Sequence, residues 1–275
     1  MTKHYNNFKS LRDEMTFRKY SRRTIDTYVY YNKKFLDSVQ KSPRQVSTSD
    51  IKLFLTSVAN TSSASTVALV LNALKFYYKI IYKRYICDTI AAPRKEKKLP
   101  SVLSRQEIIT MINKTNNKKH KTILQLLYGT GMRLSEIRKL RIHDIDFDRG
   151  IIHVRQAKGA KDRIVHLPTS CRNVLLFQKG IKEKDAYIFT GRGSQMLNAR
   201  TIQAIVRKAA ERAQIKKRVS PHTMRHSFAT HLLESGTDIR FIQHFLGHNK
   251  IQTTERYTHV ANTSITKIKS PLDTL

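Results

Sequence analysis

The residues of this sequence that could do chemistry are concentrated in residues 220–260. Ser220 can cap a helix, and Pro221 suits its first position. His222 and Arg225 then lie three residues apart on one face of the first turn. A helix start carries free backbone N–H groups and the positive end of the helix dipole. A histidine and an arginine added there indicate a phosphate oxygen as the ligand.

A histidine and a tyrosine follow this helix. The sequence predicts a second helix, capped at residues 237–238 and ended by Gly247, so His248 lies on the turn after it. Tyr257 comes nine residues later. A phenol is a weak nucleophile at neutral pH, and it becomes useful only when the group that it attacks is activated and its proton has an acceptor.

The order of these residues resembles the C-terminal signature of the tyrosine recombinases, the phage integrase family, and is most similar to the Xer-type members. The family pattern has His-x-x-Arg, then Leu-Gly-His, then the nucleophilic tyrosine nine residues on. In this sequence the pattern falls on His222, Arg225, His248 and Tyr257. The likeness covers nearly the whole chain, because the N-terminal part resembles the core-binding domain of the family.

Two further motifs of the family lie upstream. Its Gly-x-Arg-x-Ser-Glu pattern matches residues 131–136, which contain Arg133 and, as a supporting residue, Glu136. Its lysine lies in a hairpin turn, Lys-Gly-x-Lys, which matches residues 158–161 and assigns the lysine position to Lys158. The six catalytic positions of the family are therefore all filled, in the right order.

The resemblance implies a reaction in which DNA strands are cut and rejoined through a 3′-phosphotyrosyl bond, without metal, ATP or another cofactor. Tyr257 would be the nucleophile, and the two arginines would clamp the non-bridging phosphate oxygens. Lys158 would protonate the departing 5′ oxygen. His222 would accept the tyrosine proton, and His248 would donate a hydrogen bond to the phosphate.

The composition indicates a polyanion as the partner. The chain has 275 residues, with 52 Lys and Arg against 20 Asp and Glu, a formal charge of +32 and a pI near 10.4. Double-stranded DNA with a specific site is the partner that the motifs favour. An anionic membrane is the alternative, but we expect no apolar run that approaches the length of a membrane span and therefore no membrane partner.

The cysteines and the first residues indicate a cellular compartment. Cys87 and Cys171 are too few and too far apart for a disulfide framework or a zinc knuckle. Residues 1–5 contain no apolar segment of a secretory signal. We therefore expect a reduced, cytoplasmic protein that is associated with the nucleoid.

The predicted fold is mainly α with a small antiparallel β-sheet, in two domains. Residues 1–85 are predicted to form a helical DNA-binding domain, which resembles the SAM-like core-binding domain of the family. One of its four helices is capped by Ser21, and another begins at residues 49–50. Residues 86–99 form a stiff basic linker, and residues 100–275 form the α+β catalytic domain with a C-terminal exchange tail.

Basic side chains on the outer faces of the first domain and in the linker favour contact with DNA phosphates. Each one alone is better explained as a solvated surface residue, and only their number indicates a partner. Arg12, Arg18 and Arg84 belong to these outer faces. The residues that we select as DNA-binding are Arg22, Arg23, Lys75, Lys79, Arg94, Lys95 and, in the hairpin turn, Lys161.

Predicted helices of the second domain place Arg133 at a helix start. A capping box at residues 104–107 begins one helix, and Gly129 and Gly131 break the next, so Arg133 lies at the entrance to a third. Two more helices are predicted at about residues 170–179 and 198–214. In the last two helices the predicted inward residues are Phe228, Leu232 and Leu233, then Ile239, Phe241, Ile242 and Phe245.

Between residues 145 and 167 the apolar period changes to two, which predicts three antiparallel strands. Lys158 and Lys161 lie at the tip of the second hairpin, where a lysine can reach across a groove. Before Tyr257, Thr253 or Thr254 could cap a short segment.

A short amphipathic tail is predicted after Tyr257, with Ile265, Ile268 and Leu272 on its apolar side. In the family that the sequence resembles, such a tail docks into a neighbouring protomer. The resemblance therefore implies cyclic association, a homotetramer on synapsed DNA.

Three alternatives differ in class. His222 and His226 have the i, i+4 spacing of zinc ligands, but Thr223 stands where a metallopeptidase has its glutamate. A catalytically silent DNA-binding regulator would use the basic faces alone, although it would not need six filled catalytic positions. A type IB topoisomerase uses similar chemistry, but the tail and the small N-terminal domain fit recombination better.

The biological role has its own alternatives. The compact Xer-like form favours resolution of chromosome or plasmid dimers, and integration of a mobile element or inversion of a segment stays open. The target sequence cannot be read from the chain, because most basic residues position the DNA backbone and carry no sequence information.

Overall fold

The computed structural model describes residues 7–94, 101–155, 162–248, 251–255 and 257–258. The chain divides into two compact units, Met1–Lys97 and Lys98–Leu275. Helices predominate in both, and the second contains a three-stranded antiparallel sheet. The predicted fold class is confirmed.

The first unit is a small helical bundle around one apolar core. Ser21 caps the second helix as predicted, with its side chain accepting the N–H of Thr24. The third helix begins earlier than predicted, because Ser47 is its cap and Asp50 completes a capping box. The helices are α1 (Asn7–Phe17), α2 (Arg22–Val39), α3 (Thr48–Thr61) and α4 (Ala64–Phe76), which continues as a π-helical turn over Tyr77–Ile81.

The continuous segment Ala64–Ile81 is long and apolar enough to cross a membrane by length and composition, so the expectation of no such run was wrong. Its side chains explain the composition in another way. Val70, Leu74 and Tyr77 are fully buried in the core of the first unit. A central core helix passes the same test of length and hydropathy, and the segment is weak evidence for a membrane partner.

The residues after this helix fold back on the first unit. Cys87 is buried in its core, and Ile86 and Ile90 pack against that core, although the sequence places all three in the linker. Lys75 donates from Nζ to the carbonyl of Ile90 at 3.1 Å, and Lys79 lies 3.5 Å from a carboxylate oxygen of Asp88. These two lysines therefore hold the returning segment.

Other basic residues of the predicted outer faces also have partners within the first unit. Arg84 donates to the carbonyls of Pro43 and Val46, both at 2.8 Å. Arg12 pairs with Asp26 and Arg18 with Glu14. Arg22, Arg23 and Arg94 are exposed. Lys95 lies outside the described residues.

The second unit packs its helices and its sheet around a larger core. The capping box at Ser104 and Glu107 is confirmed. Gly129 lies inside a helix, and Gly131 alone ends that helix, with φ +60°. The helices are α5 (Arg105–Asn113), α6 (Lys118–Thr130), α7 (Leu134–Lys139), α8 (Thr169–Ile181), α9 (Ala199–Arg212), α10 (Pro221–Glu234), α11 (Ile239–Leu246) and α12 (Gln252–Glu255), with 3-10 turns at Ile142–Asp144 and Arg192–Ser194.

The sheet has the predicted three strands in the order β1 (Ile145–Asp146), β2 (Ile151–Val154) and β3 (Arg163–His166). Ile152 pairs with Val165, and Val154 with Arg163. The face that packs on the core carries Ile152, Val154, Arg163 and Val165. An arginine is thus buried at a position where the alternation alone predicts an apolar side chain.

The inward faces of α10 and α11 differ from the prediction. On α10, Phe228, Leu232 and Leu233 are only partly buried, because the helix turns Met224, Arg225 and Ala229 inward instead. On α11, Ile242 and Leu246 are buried, but Phe241 is 65% exposed. A run of apolar residues on consecutive positions does not by itself say which of them faces the core.

The two cysteines are free and buried, one in each core. Burial raises the pKa of the Cys87 thiol to about 11 and that of the Cys171 thiol to about 11. Both are therefore protonated at neutral pH, and neither behaves as a reactive thiolate.

Candidate active site

Arg225 is almost completely buried, with 2% of its surface exposed. It lies in the first turn of α10, which Ser220 caps and Pro221 begins, as predicted. Its Nη1 donates to the carbonyl of Gly131 at 2.7 Å, and its Nη2 donates to the carbonyl of Leu246 at 2.6 Å. The guanidinium thus joins the turn after α6 to the turn after α11.

Burial and the charge of nearby Arg133 lower the pKa of Arg225 to about 10, so the side chain is still charged at neutral pH. Gly131 allows this close packing. Its φ of +60° is in the left-handed region, and a Cβ there would collide with the ring of Phe228 and lie 3.0 Å from Leu246. A substitution of Gly131 would therefore displace the carbonyl that holds Arg225.

Arg133 lies at the N-cap of α7, as predicted, and its side chain is 38% exposed. Its Nη1 donates to Glu136 at 2.9 Å, and its Nη2 donates to the carbonyl of Gly247 at 3.1 Å. Arg133 and Arg225 therefore bind successive carbonyls of one turn. The structure brings the two predicted arginines to the same place.

Glu136 is held between two arginines. Arg163, on β3, donates to both of its carboxylate oxygens, at 2.9 and 2.8 Å. Burial by itself raises the pKa of Glu136, but the hydrogen bond and charge of Arg163, followed by the hydrogen bonds of Arg133, outweigh it and lower the pKa below its usual value. Glu136 is therefore an ionised centre that fixes both guanidinium groups.

Arg163 was missed in the sequence. It is 4% exposed, and its Nε donates to the carbonyl of Phe245 at 2.6 Å, in addition to its two bonds to Glu136. It therefore connects the strand after the lysine hairpin to α7 and α11. The signal that could have found it is its charge at an inward position of an alternating strand.

His248 lies on the turn after α11, as predicted, and has a partner on each ring nitrogen. Its Nε2 is 3.0 Å from Nη2 of Arg225, and its Nδ1 is 3.0 Å from Oγ1 of Thr254. An arginine can only donate, so Nε2 accepts and the proton is on Nδ1, which donates to Thr254. Burial, then Arg225 and Arg133, lower the pKa of His248 to about 3, so the ring is neutral.

This arrangement differs from two predictions. While Nε2 accepts from Arg225, it cannot donate a hydrogen bond to a phosphate. Thr254 is inside α12 and fully buried, so it positions His248 and is not a cap.

Tyr257 follows α12 and is 1% exposed. Its ring packs with Ala229, Ile242 and Leu246 in a small cluster. It also stacks on His248, with ring centroids 6.4 Å apart. The phenol ring is thus stacked on the histidine that accepts from Arg225.

His226 holds the hydroxyl of Tyr257. Its Nδ1 is 3.0 Å from Oη, and the two ring centroids are 5.4 Å apart. His222, to which the sequence assigns the tyrosine proton, is exposed one turn earlier, and its ring lies edge-on to that of His226 at 4.1 Å. Partial burial, Arg225 and Arg133 lower the pKa of His222.

Lys158 and Lys161 lie outside the described residues, so their positions relative to the site stay predictions. The zinc alternative has no support among the residues that the structure describes, where no group of three His, Cys, Asp or Glu side chains could hold a metal ion. His226 faces the phenol instead.

Comparisons with known proteins match most of the length of the chain. The model of the phage integrase family matches residues 101–264, and the model of the phage integrase N-terminal SAM-like domain matches residues 8–88. An integrase/recombinase of Escherichia coli is 34% identical over 96% of this chain and 92% of its own length. The tyrosine recombinase XerA of Pyrococcus horikoshii is 35% identical over 87% of this chain and 84% of its own.

Among solved structures, the XerH site-specific recombinase bound to palindromic difH substrate, a post-cleavage complex, matches with a TM-score of 0.72. It is 23% identical, and the match covers 86% of this chain and 76% of that one. At this identity the similarity supports the fold.

Proposed function

We propose a reaction for this chain on the premise that it belongs to the phage integrase family and is a tyrosine recombinase similar to the Xer proteins. The hydroxyl oxygen of Tyr257 attacks a phosphorus of the DNA backbone. The bond from that phosphorus to the 5′ oxygen breaks, which leaves a 3′-phosphotyrosyl bond and a 5′ hydroxyl. Attack by a 5′ hydroxyl rejoins a strand without ATP, because the phosphotyrosyl bond keeps the energy of the original diester.

The observation that supports this reaction most directly is the single cluster of Tyr257, His248 and Arg225 in one chain. A nucleophile, a buried guanidinium and a fixed imidazole are the parts that attack on a phosphate diester needs. They come from α10, from the turn after α11 and from the segment after α12, and a core alone does not require them together.

Arg133 and Arg225 each have N–H groups left that can donate to a phosphate. Of the five N–H groups of a guanidinium, Arg225 uses three in its bonds to Gly131, Leu246 and His248, and Arg133 uses two in its bonds to Glu136 and Gly247. The others can bind the two non-bridging oxygens, whose charge grows as the tyrosine oxygen adds. We assign the acid for the 5′ oxygen to Lys158, on the match of its motif.

The partner is double-stranded DNA with a specific site. The charge of +32 supports it, and the exposed Arg22, Arg23 and Arg94 are available for phosphates. XerH, a relative in fold, was solved bound to its difH substrate. A homotetramer on two synapsed sites, joined through the tail after Tyr257, is part of the proposal and rests on the resemblance of the tail.

We further propose that the chain resolves chromosome or plasmid dimers, in the cytoplasm at the nucleoid. The 35% identity to a XerA recombinase supports this role. The 34% identity to an integrase/recombinase keeps integration of a mobile element as the alternative. Dimer resolution and integration can be distinguished by the sequence of the DNA on which the protein acts.

The test is covalent trapping. The native chain and its Tyr257→Phe variant are incubated without metal with nicked duplexes that carry candidate recombination sites. A nick lets the short 5′ product diffuse away, so a covalent protein–DNA adduct accumulates on a denaturing gel. We expect an adduct from the native chain and none from Tyr257→Phe.

Three other outcomes of the trapping experiment would contradict the proposed reaction. An adduct that persists in Tyr257→Phe assigns the nucleophile to another residue. No adduct on DNA that a shift assay shows to be bound favours the silent regulator. Relaxation of a supercoiled plasmid without any recombination site favours the topoisomerase.

A further inference from the structure

We propose that His226 is a catalytic residue of this chain, the base whose Nδ1 takes the phenolic proton as the Tyr257 oxygen attacks phosphorus. The inference rests on the proposed function and assigns a step within it. His226 directly follows Arg225. The inference gives it the role of proton acceptor, which the motif His-x-x-Arg assigns to His222.

The geometry is that of a base on its nucleophile. A phenol has an ordinary pKa near about 10 and keeps its proton at neutral pH, so attack needs a proton acceptor. A general base must lie within about 2.6–3.2 Å of the atom that it deprotonates. Nδ1 of His226 is 3.0 Å from Oη of Tyr257, with the phenol almost completely buried.

The other described histidine that packs on Tyr257, His248, already has a hydrogen-bond partner on each ring nitrogen. Nε2 of His248 accepts from Arg225, and Nδ1 of His248 carries a proton toward Thr254. The ring has no lone pair left for the phenolic proton while these two bonds are in place. His248 therefore positions Arg225, and the proton goes elsewhere.

The helix explains why His226 reaches the phenol. His226 follows Arg225 in α10, so one residue turns inward to the two carbonyls and the next faces Tyr257. Among the described residues, the titratable and charged groups near His226 include His222 and Arg225 on its own helix, Tyr257 after α12 and His248 on the turn after α11. His222, one turn before, packs edge-on to the His226 ring and can help to orient it.

The bond from Oη to phosphorus forms while the bond from phosphorus to the 5′ oxygen breaks. The phenolic proton passes to Nδ1 of His226, and a separate acid, Lys158 in the proposed function, gives a proton to the 5′ oxygen. On rejoining, a 5′ hydroxyl gives its proton to the deprotonated acid, Lys158, as its oxygen bonds to phosphorus. The bond from phosphorus to Oη breaks, and protonated His226 returns its proton to the departing phenolate oxygen.

The experiment compares two substrates and several variants, using the duplex on which the native chain forms its adduct. One substrate has the natural 5′ oxygen, and the other has sulfur in its place. A thiolate leaves without an acid, so sulfur restores a variant that lacks the acid but not one that lacks the base. Rates of adduct formation are measured in single turnover across pH, and binding is measured by shift assay.

His226→Gln is the decisive variant, because glutamine keeps a hydrogen bond to the phenol but cannot take its proton. We expect it to bind DNA as the native chain does and to form adduct roughly 10²- to 10⁴-fold more slowly on both substrates. The rate of adduct formation by this variant should no longer fall at low pH, so the acid limb of its pH profile should disappear. Lys158→Ala should be slow on oxygen and restored by sulfur, and His166→Gln, at an exposed histidine of β3, should match the native rate.

His222→Gln decides between the two histidines. It is expected to lower the rate but to keep the acid limb. If instead His222→Gln loses that limb and His226→Gln keeps the native rate, the proton acceptor is His222 and the inference is wrong.

A purely structural role of His226 gives another pattern. If the residue only holds the phenol, His226→Gln should cleave at the native rate while His226→Phe is slow, which would overturn the proposal. Absence of adduct from the native chain contradicts the proposed function itself. Native cleavage together with unchanged His226→Gln contradicts this inference alone.

Discussion

Thr254 fixes the tautomer of His248, although no hydrogen bond joins Thr254 to Arg133 or Arg225. Its Oγ1 accepts the Nδ1 proton at 3.0 Å, and this leaves the lone pair of Nε2 toward Arg225. For histidines that bind metals, loss of the group that fixes the tautomer typically costs roughly 10- to 100-fold in activity, and we expect a loss of similar size for His248. The buried hydroxyl is therefore part of the arginine site through one imidazole.

We predict that Thr254→Val, which keeps the shape and removes the acceptor, slows adduct formation roughly 10-fold or more while DNA binding stays unchanged. Thr253→Val is the matched control, because Thr253 precedes it in α12 and is exposed. Single-turnover trapping on the same nicked duplex measures both. Equal rates for the two variants would show that the tautomer does not matter.

The low pKa of His248 predicts a dependence of stability on pH. The ring has its ordinary pKa, 6.5, in the unfolded chain and a pKa of about 3 in the folded one. As pH falls from 6.5 toward 3 only the unfolded state gains the proton, so stability is present above pH 6.5 and is lost on acidification.

We predict that between pH 7 and pH 5 the native chain loses about 1–2 kcal/mol more of its free energy of unfolding than His248→Gln does, at about 1.4 kcal/mol per pH unit. Urea unfolding followed by circular dichroism gives both values, and other titrating groups cancel in the difference. His244→Gln, at an exposed histidine of α11, should follow the native chain. Parallel native and His248→Gln curves would contradict the low pKa.

At the scale of elements, Arg163 and Glu136 connect β3, α7 and α11 through one buried ion pair. Removing one partner of such a pair leaves the other charge buried without its main compensation, at a cost of about 3–5 kcal/mol. The strand that carries Arg163 also leads out of the lysine hairpin. The same contact therefore fixes the start of β3, two residues after Lys161, relative to the arginines.

We predict that Arg163→Met destabilises the second unit by about 3–5 kcal/mol. Arg155→Met is the control, since Arg155 pairs with Asp144 but its side chain is 65% exposed, and it should cost no more than about 1 kcal/mol. Denaturant unfolding distinguishes them. Similar small losses in both variants would mean that the buried pair contributes no more than a surface one.

The motifs of this chain could be predicted from sequence because they lie at places that local signals mark. Ser220 and Pro221 start α10, Gly131 ends α6, and Gly247 ends α11, so Arg225, Arg133 and His248 fall at helix ends. Helix starts and stops depend on a few neighbouring residues. The three strands were predictable for a similar reason, the change of period.

The contacts between these elements could not be predicted. The meeting of His226 with Tyr257 depends on how α11 packs on both α10 and α12, and the two residues are 31 positions apart. The burial of Arg163 depends on which face of β3 is turned inward, and alternation allows either parity. Phe241 was misplaced because an apolar residue at the surface of a short helix has no local mark.

At the scale of the whole molecule, the charge of +32 predicts binding to DNA that weakens steeply with salt. Each phosphate neutralised adds about 0.9 to the slope of log K against log salt concentration. Residues of the first unit should differ in their share, because some of them already have partners. Exposed Arg22 and Arg23 begin α2, whereas Lys75 donates to the carbonyl of Ile90.

We predict that the double variant Arg22→Gln, Arg23→Gln lowers this slope by about 2 on a duplex without a recombination site. Lys75→Gln should change the slope little and should loosen the segment that returns to the first core. Fluorescence anisotropy titrations at several salt concentrations measure both slopes. An unchanged slope in the arginine variant would remove these residues from the DNA surface.

The placement of the two cysteines has a practical consequence for measuring this molecule. Cys87 is sealed in the first core and Cys171 in the second, and each sulfur becomes accessible to a thiol-labelling reagent only when its surroundings open. The rate of labelling at each cysteine is therefore a separate probe of how often that unit opens. Mass spectrometry of the labelled peptides reads the two probes in one sample, with no label or substitution introduced beforehand.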